Sequence, residues 1–225
     1  MQDGLERATV EYNNTPGVLS GIEPEYAYGI IVCAMRHFTS DFSPYYKFFM
    51  EVHAHEDRHR VYGLASMALV TQAVALKSTG LKIVALDIAG AEKGYPASDH
   101  AEAYAYAHKH FLHKTVHAAE GYGPASIYQA LTDLHAERIG HGFHIFHVDR
   151  MENVCEEKAE EYVNKLCQYL GNMRICIEVC LSSNLQTVPD LNGDVTHHPV
   201  RQMLEKKLAV SLCTVRIRPY HPVIY

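Results

Sequence analysis

Sixteen histidines in 225 residues are an excess of the side chain best suited to metal binding and to proton transfer near neutral pH. Several lie beside carboxylates or glycines. In His117-Ala118-Ala119-Glu120 an imidazole and a carboxylate stand one turn apart. His117 could bind a metal through a neutral nitrogen while Glu120 supplies or removes a proton; a hydrogen-bonded histidine in a tight turn would leave the same pattern. His141 sits in Arg138-Ile139-Gly140-His141-Gly142, where glycines let backbone and side chain come close to a ligand. His55-Glu56-Asp57-Arg58-His59 fits H-E-x-x-H, but this composition alone supplies such a match about once in twelve chains of this length. Asp57, Arg58 and Arg60 mark that segment as the solvated end of a helix. His53 and His55 would share a face on a strand but not on a helix, and in a segment rich in Glu and Arg they read as surface residues.

Elements that could position these groups alternate along the chain. Apolar runs at 29–38 (GIIVCAMRHF), 82–89 (KIVALDIA), 114–118 (KTVHA), 138–141 (RIGH), 173–180 (MRICIEVC) and 209–214 (AVSLCT) have the length and continuity of strands buried on both faces. Helical stretches separate them: 65–78, a segment from 101 opened by a capping-box-like Asp99 and Glu102, one opened by Pro124, a long polar helix from about 149 to 170 ended by Gly171, and 198–207. This makes about six β/α units and predicts an α/β fold with a parallel sheet, doubly wound or a barrel. Gly90, Ala91 and Glu92, then His117 to Glu120, then His141 and Gly142, then Ser182 to Asn184 follow successive strands. Polar residues at the carboxyl ends of parallel strands face one mouth.

Composition narrows the partners. With 48% apolar and 20% charged residues the chain can bury a core. A net charge of -6 argues against nucleic acid or an anionic membrane as partner. No run approaches the roughly 18 apolar residues of a spanning helix, and the first ten residues lack a secretory pattern, so a cytoplasmic protein is expected. The six cysteines contain no CxxC pair and are expected as reduced core thiols.

Five segments in series resemble the adenosine deaminase family: Leu86-Asp87-Ile88-Ala89-Gly90, Thr115 to Glu120, Arg138 to Gly142, Glu178 to Asn184, and Ser211 to Thr214. The resemblance runs from about Ile30 to Thr214. It implies a zinc-dependent (β/α) barrel of the TIM type, apparently partial, with about six of eight units in a single domain over residues 1–225. It also implies hydrolytic deamination of adenosine, with His117 as a zinc ligand. Glu120 would protonate the ring nitrogen beside the attacked carbon, His141 would orient and deprotonate the water, and the Gly90 N–H would bind the purine.

The chain departs from that pattern at both ends. The family's first strand ends in a His-x-His pair of zinc ligands, whereas no histidine precedes Ile30. Thr214 should be followed by a zinc-binding aspartate, whereas Val215 and Arg216 open a divergent tail at 215–225. Ala119 replaces a usual glycine and Leu181 a usual proline. One of four ligands remains, so zinc binding is expected to be weak or absent, and six strands leave two open edges through which chains could self-associate. A truncated coding sequence is the expected cause. Two alternatives accompany the deaminase reading: a non-catalytic fragment or interaction protein, and a deaminase acting on adenine or another 6-aminopurine.

Overall fold

The computed structural model describes residues 2–213. Two helices, α1 (Gln2–Asn13) and α2 (Pro16–Leu19), precede the first strand β1 (Ile30–Met35). Then come α3 (Pro44–Val52), α4 (Arg58–Ser78), β2 (Ile83–Ala89), α5 (Ala101–Lys109), β3 (His113–Ala118), α6 (Pro124–Thr132) and β4 (Arg138–His141). The remainder is α7 (Glu156–Met173), β5 (Cys176–Val179), α8 (Leu181–Thr187), α9 (Val200–Glu205) and β6 (Ala209–Leu212). The six strands form one parallel sheet in sequence order. That is the order of a (β/α) barrel and not of a doubly wound sheet, whose strand order reverses. As expected, the arrangement is six units of an eight-unit barrel, with β1 and β6 outermost.

Side chains alternate across each strand. Leu86, Ile88, Val116, Ile139, Ile177 and Val179 are buried in the main core with Val70, Ala73, Tyr104, Ile127, Leu166 and Leu170 from the helices. The opposite face is polar and cross-linked. Cys33 contacts Asp87, Asp87 contacts His117, Thr115 and Arg138 both bond Glu178, and Arg138 reaches Ser211.

The ladder between β2 and β3 is the shortest in the sheet. β2 and β3 pair only at Ala85↔His113 and Leu86↔Lys114, and the strands part toward their carboxyl ends. Arg36, 1% exposed, bridges the gap: Nη1 donates to the Tyr95 carbonyl at 2.8 Å and Nη2 to the His117 carbonyl at 2.9 Å.

The H-E-x-x-H segment is, as expected, the solvated end of a helix: α3 ends at Val52, residues 53–57 form a loop, and the Asp57 carboxylate caps α4, on which His59 lies, by accepting from the His59 N–H at 2.8 Å. His55 is exposed, so the two histidines share no helical face. Several local expectations are corrected. Asp99 caps nothing on α5 because its carboxylate is taken by His59 Nδ1 at 2.6 Å, and Glu102 pairs with Arg60. Helix α7 starts at Glu156, and Gly171 lies inside it; the terminating left-handed residue is Arg174, φ 54°. All six cysteines are free, but only Cys167 and Cys180 are buried. At 21 residues and a mean hydropathy of 1.2, α4 is long and apolar enough to cross a membrane by those measures; here Val61, Ala65, Val70 and Ala73 on it are buried in the protein's own clusters. The divergent tail expected at 215–225 lies outside the described residues.

Candidate active site

His117, Glu120 and His141 converge at the carboxyl ends of β3 and β4. The His117 ring lies across Gly140: a Cβ there would stand 3.1 Å from His117 Nδ1, so the first glycine of the RIGHG motif is needed for space. Asp87 Oδ1, on the neighbouring strand β2, is 3.1 Å from His117 Nδ1. A carboxylate at Nδ1 accepts a hydrogen bond from Nδ1–H, which keeps the proton of a neutral ring there and leaves Nε2 as the free ligand nitrogen. Burial pushes the His117 pKa down, but the bond to Asp87 and the charges of Asp87, Glu120 and Glu178 outweigh it and leave it raised.

Glu120 is carried on a tightly gripped turn. Glu92 Oε2 accepts from the Ala119 N–H at 3.0 Å, and Oε1 from those of Glu120 and Gly121 at 2.8 and 3.2 Å. Ala119 adopts φ 56°, the region that favours glycine, which accounts for the family's usual residue there. The Glu120 side chain accepts from Thr187 Oγ1 at 3.0 Å through Oε1 and sets Oε2 3.6 Å from His141 Nε2.

His141 is itself at φ 64°, followed by Gly142 at φ 58°. A Cβ on Gly142 would come within 2.9 Å of Ile177 Cγ2, so the second glycine is required by conformation and by space. The His141 pKa is lowered, by burial first, against the opposing charge of Glu120. Gly90 follows β2 at φ 109°, at the same end of the sheet as the other three.

Asp87, Glu92, Thr187, Asn184 and His198 complete the surroundings. The signal for Asp87 is a lone acid inside an apolar strand. Asn184 and Glu92 stand in the polar clusters after strands, whereas nothing in the spacing distinguishes Thr187 or His198.

The donor set for zinc does not close around His117. The described residues hold one group of three donor side chains with ligand atoms within 4.8 Å of one another, His144, His147 and Asp190, and His117 is not part of it. The Nδ1 atoms of that histidine pair are 2.5 Å apart, as in a hydrogen bond, and Asp190 is engaged by Arg150 at 3.1 Å. Zinc takes three or four protein ligands, so His117 is chemically fit to be one of them but the described residues do not make a zinc centre.

A family model of adenosine deaminase matches residues 1–215. The chain is 39% identical over 123 residues to adenosine deaminase 1 of Streptomyces coelicolor, covering 55% of this chain and 30% of that protein. It is 38% identical over 155 residues to the adenosine deaminase of Salmonella heidelberg, covering 69% and 41%. Among solved structures, a zinc-bound amidohydrolase from Burkholderia ambifaria superposes with a TM-score of 0.61 at 18% identity, covering 95% of this chain and 46% of that one. The chain thus spans less than half the length of each.

Proposed function

The chain belongs to the adenosine deaminase family, and from that premise we propose that it carries the acid–base and substrate-holding part of a hydrolase that converts adenosine and water to inosine and ammonia. The observation that supports this most directly is Glu120 Oε2 set 3.6 Å from His141 Nε2 at the carboxyl ends of adjacent parallel strands. Addition of water to the purine carbon that bears the amino group places charge on the neighbouring ring nitrogen. Glu120 supplies the proton there, a task suited to a positioned carboxyl group. His141 holds the attacking oxygen, and the Gly90 N–H binds the ring. His117 is proposed as a metal ligand, although among the described residues no donor set closes around it. Six free cysteines suit a reducing, cytoplasmic setting, which is part of the same proposal.

The donor set, incomplete among the described residues, favours a second proposal: this polypeptide alone does not turn over. Incubated with zinc and adenosine it is expected to form no inosine and to retain less than one zinc per chain. Adenosine should nonetheless shift the amide resonances of Gly90, Glu120 and Gly142, and Glu120→Gln should weaken that response. Turnover by the isolated chain would overturn the incompleteness; amides indifferent to adenosine, but responsive to adenine, would move the substrate to the free base. The outer strands, with Ile31 48% and Leu212 71% exposed, are proposed as self-association edges, to be read by sedimentation.

A further inference from the structure

His141 is the mouth end of a buried chain of neutral hydrogen-bonding groups. Val200, at the start of α9, donates its backbone N–H to His198 Nδ1 at 3.0 Å. His198 Nε2 lies 3.2 Å from Asn184 Oδ1, and Asn184 Nδ2 lies 3.0 Å from His141 Nδ1. Asn184, His198 and His141 are 0%, 4% and 3% exposed, so each polar atom in the chain must find its partner inside it.

One polarity in that chain is not open to choice, because a backbone N–H can only donate. His198 Nδ1 must therefore be the bare nitrogen, which puts the proton of a neutral ring on Nε2. That proton is donated to an amide oxygen, so Asn184 turns its NH2 toward His141. Facing an NH2 donor, His141 Nδ1 is bare in turn, and the proton of the neutral ring sits on Nε2, the nitrogen that faces Glu120 and the mouth. Reversing any link sets two donors or two acceptors against each other in a buried place, which buried polar groups avoid. Burial also holds the His198 pKa down to about 4, in keeping with a neutral ring.

We infer that Asn184 and His198 are positioning residues that hold His141 as its Nε2–H tautomer, so that the nitrogen facing the mouth donates a hydrogen bond and does not accept a proton. This rests on the deaminase reading for its chemical meaning, and it alters one role expected there: His141 grips the attacking oxygen as a donor and is not its base. The arrangement itself stands whether or not a purine binds.

The test is long-range 1H–15N spectroscopy of the full chain labelled at histidine, at neutral pH, with the His141 signals identified by their loss in His141→Asn. The expected result is a bare Nδ1 and a protonated Nε2 on both His141 and His198. Asn184→Asp, which sets a carboxylate oxygen opposite His141 Nδ1, should move the His141 proton to Nδ1, and His198→Phe should leave a mixture of tautomers. A protonated Nδ1 in the unmodified chain would overturn the inference without any variant, and so would an Asn184→Asp variant that folds with its His141 pattern unchanged. Failure of adenosine to bind would leave these signals as they are and count only against the substrate.

Discussion

Acid should unfold this protein through histidines it buries neutral. His100, His144 and His198 are 0%, 2% and 4% exposed, and each has its pKa pushed down to about 4 by burial, against about 6.5 in an unfolded chain. A depressed folded pKa on a base means that the unfolded state binds more protons between those two values. The stabilisation is therefore complete above about pH 6.5 and is lost as pH falls toward 4. Per group the loss between pH 7 and pH 5 is about 2 kcal/mol, and about 6 kcal/mol for the three, on the scale of a whole domain's stability. His117, raised in the folded state, acts in the opposite sense: its contribution is present below about pH 6.5 and is lost as pH rises through its folded value. Stability should thus peak near neutrality. Urea unfolding followed by far-ultraviolet circular dichroism at pH 7 and pH 5 measures the difference. His100→Asn can still bond the Ser66 hydroxyl, which now lies 2.8 Å from His100 Nδ1, and should reduce the pH-dependent loss by about a third. The reasoning fails if the parent chain is equally stable at both pH values, or if His100→Asn loses stability with acid as steeply as the parent.

Other substitutions test the local geometry. Phe111, 89% exposed at φ 53° just after α5, pays for a left-handed backbone with a side chain that buries little, so Phe111→Gly should add about 1 kcal/mol and raise the melting temperature by about 2–4 °C. Gly142→Ala combines φ 58° with a 2.9 Å approach to Ile177 and should cost about 2 kcal/mol or more in the same urea titration. Gly140→Ala sets a methyl 3.1 Å from His117 Nδ1 and should displace that ring from Asp87, visible as a shift of the His117 ring resonances without unfolding.

The strands and the mouth were legible because their signals are local. Continuous apolar runs mark strands covered on both faces, and polar residues gathered after successive runs mark the end at which they meet. The groups that hold the site are set by tertiary contact and left no such trace. Arg36, just after β1, and Asp87, inside β2, are single charges in apolar runs, and their meaning depends on a gap between β2 and β3 that no periodicity encodes. The expected cap on α5 failed for the same reason: Asp99 had a cross-element partner, His59, forty residues earlier. His198 looked like the start of a helix, and its place behind His141 follows only from the path of the chain after β5.

The two-pair ladder between β2 and β3 divides the groups of the mouth between two sides, β1 with β2 and β3 with β4. Asp87 and Gly90 stand on the first side; His117, Glu120 and His141 stand on the second. Those two sets of groups therefore face each other across the shortest ladder of the sheet, and Arg36, which follows β1 and is bonded to the carbonyl of His117, ties one side to the other. A change at Arg36 would act on the spacing of the reacting groups as tension acts on a jaw, without any contact with what the jaw holds.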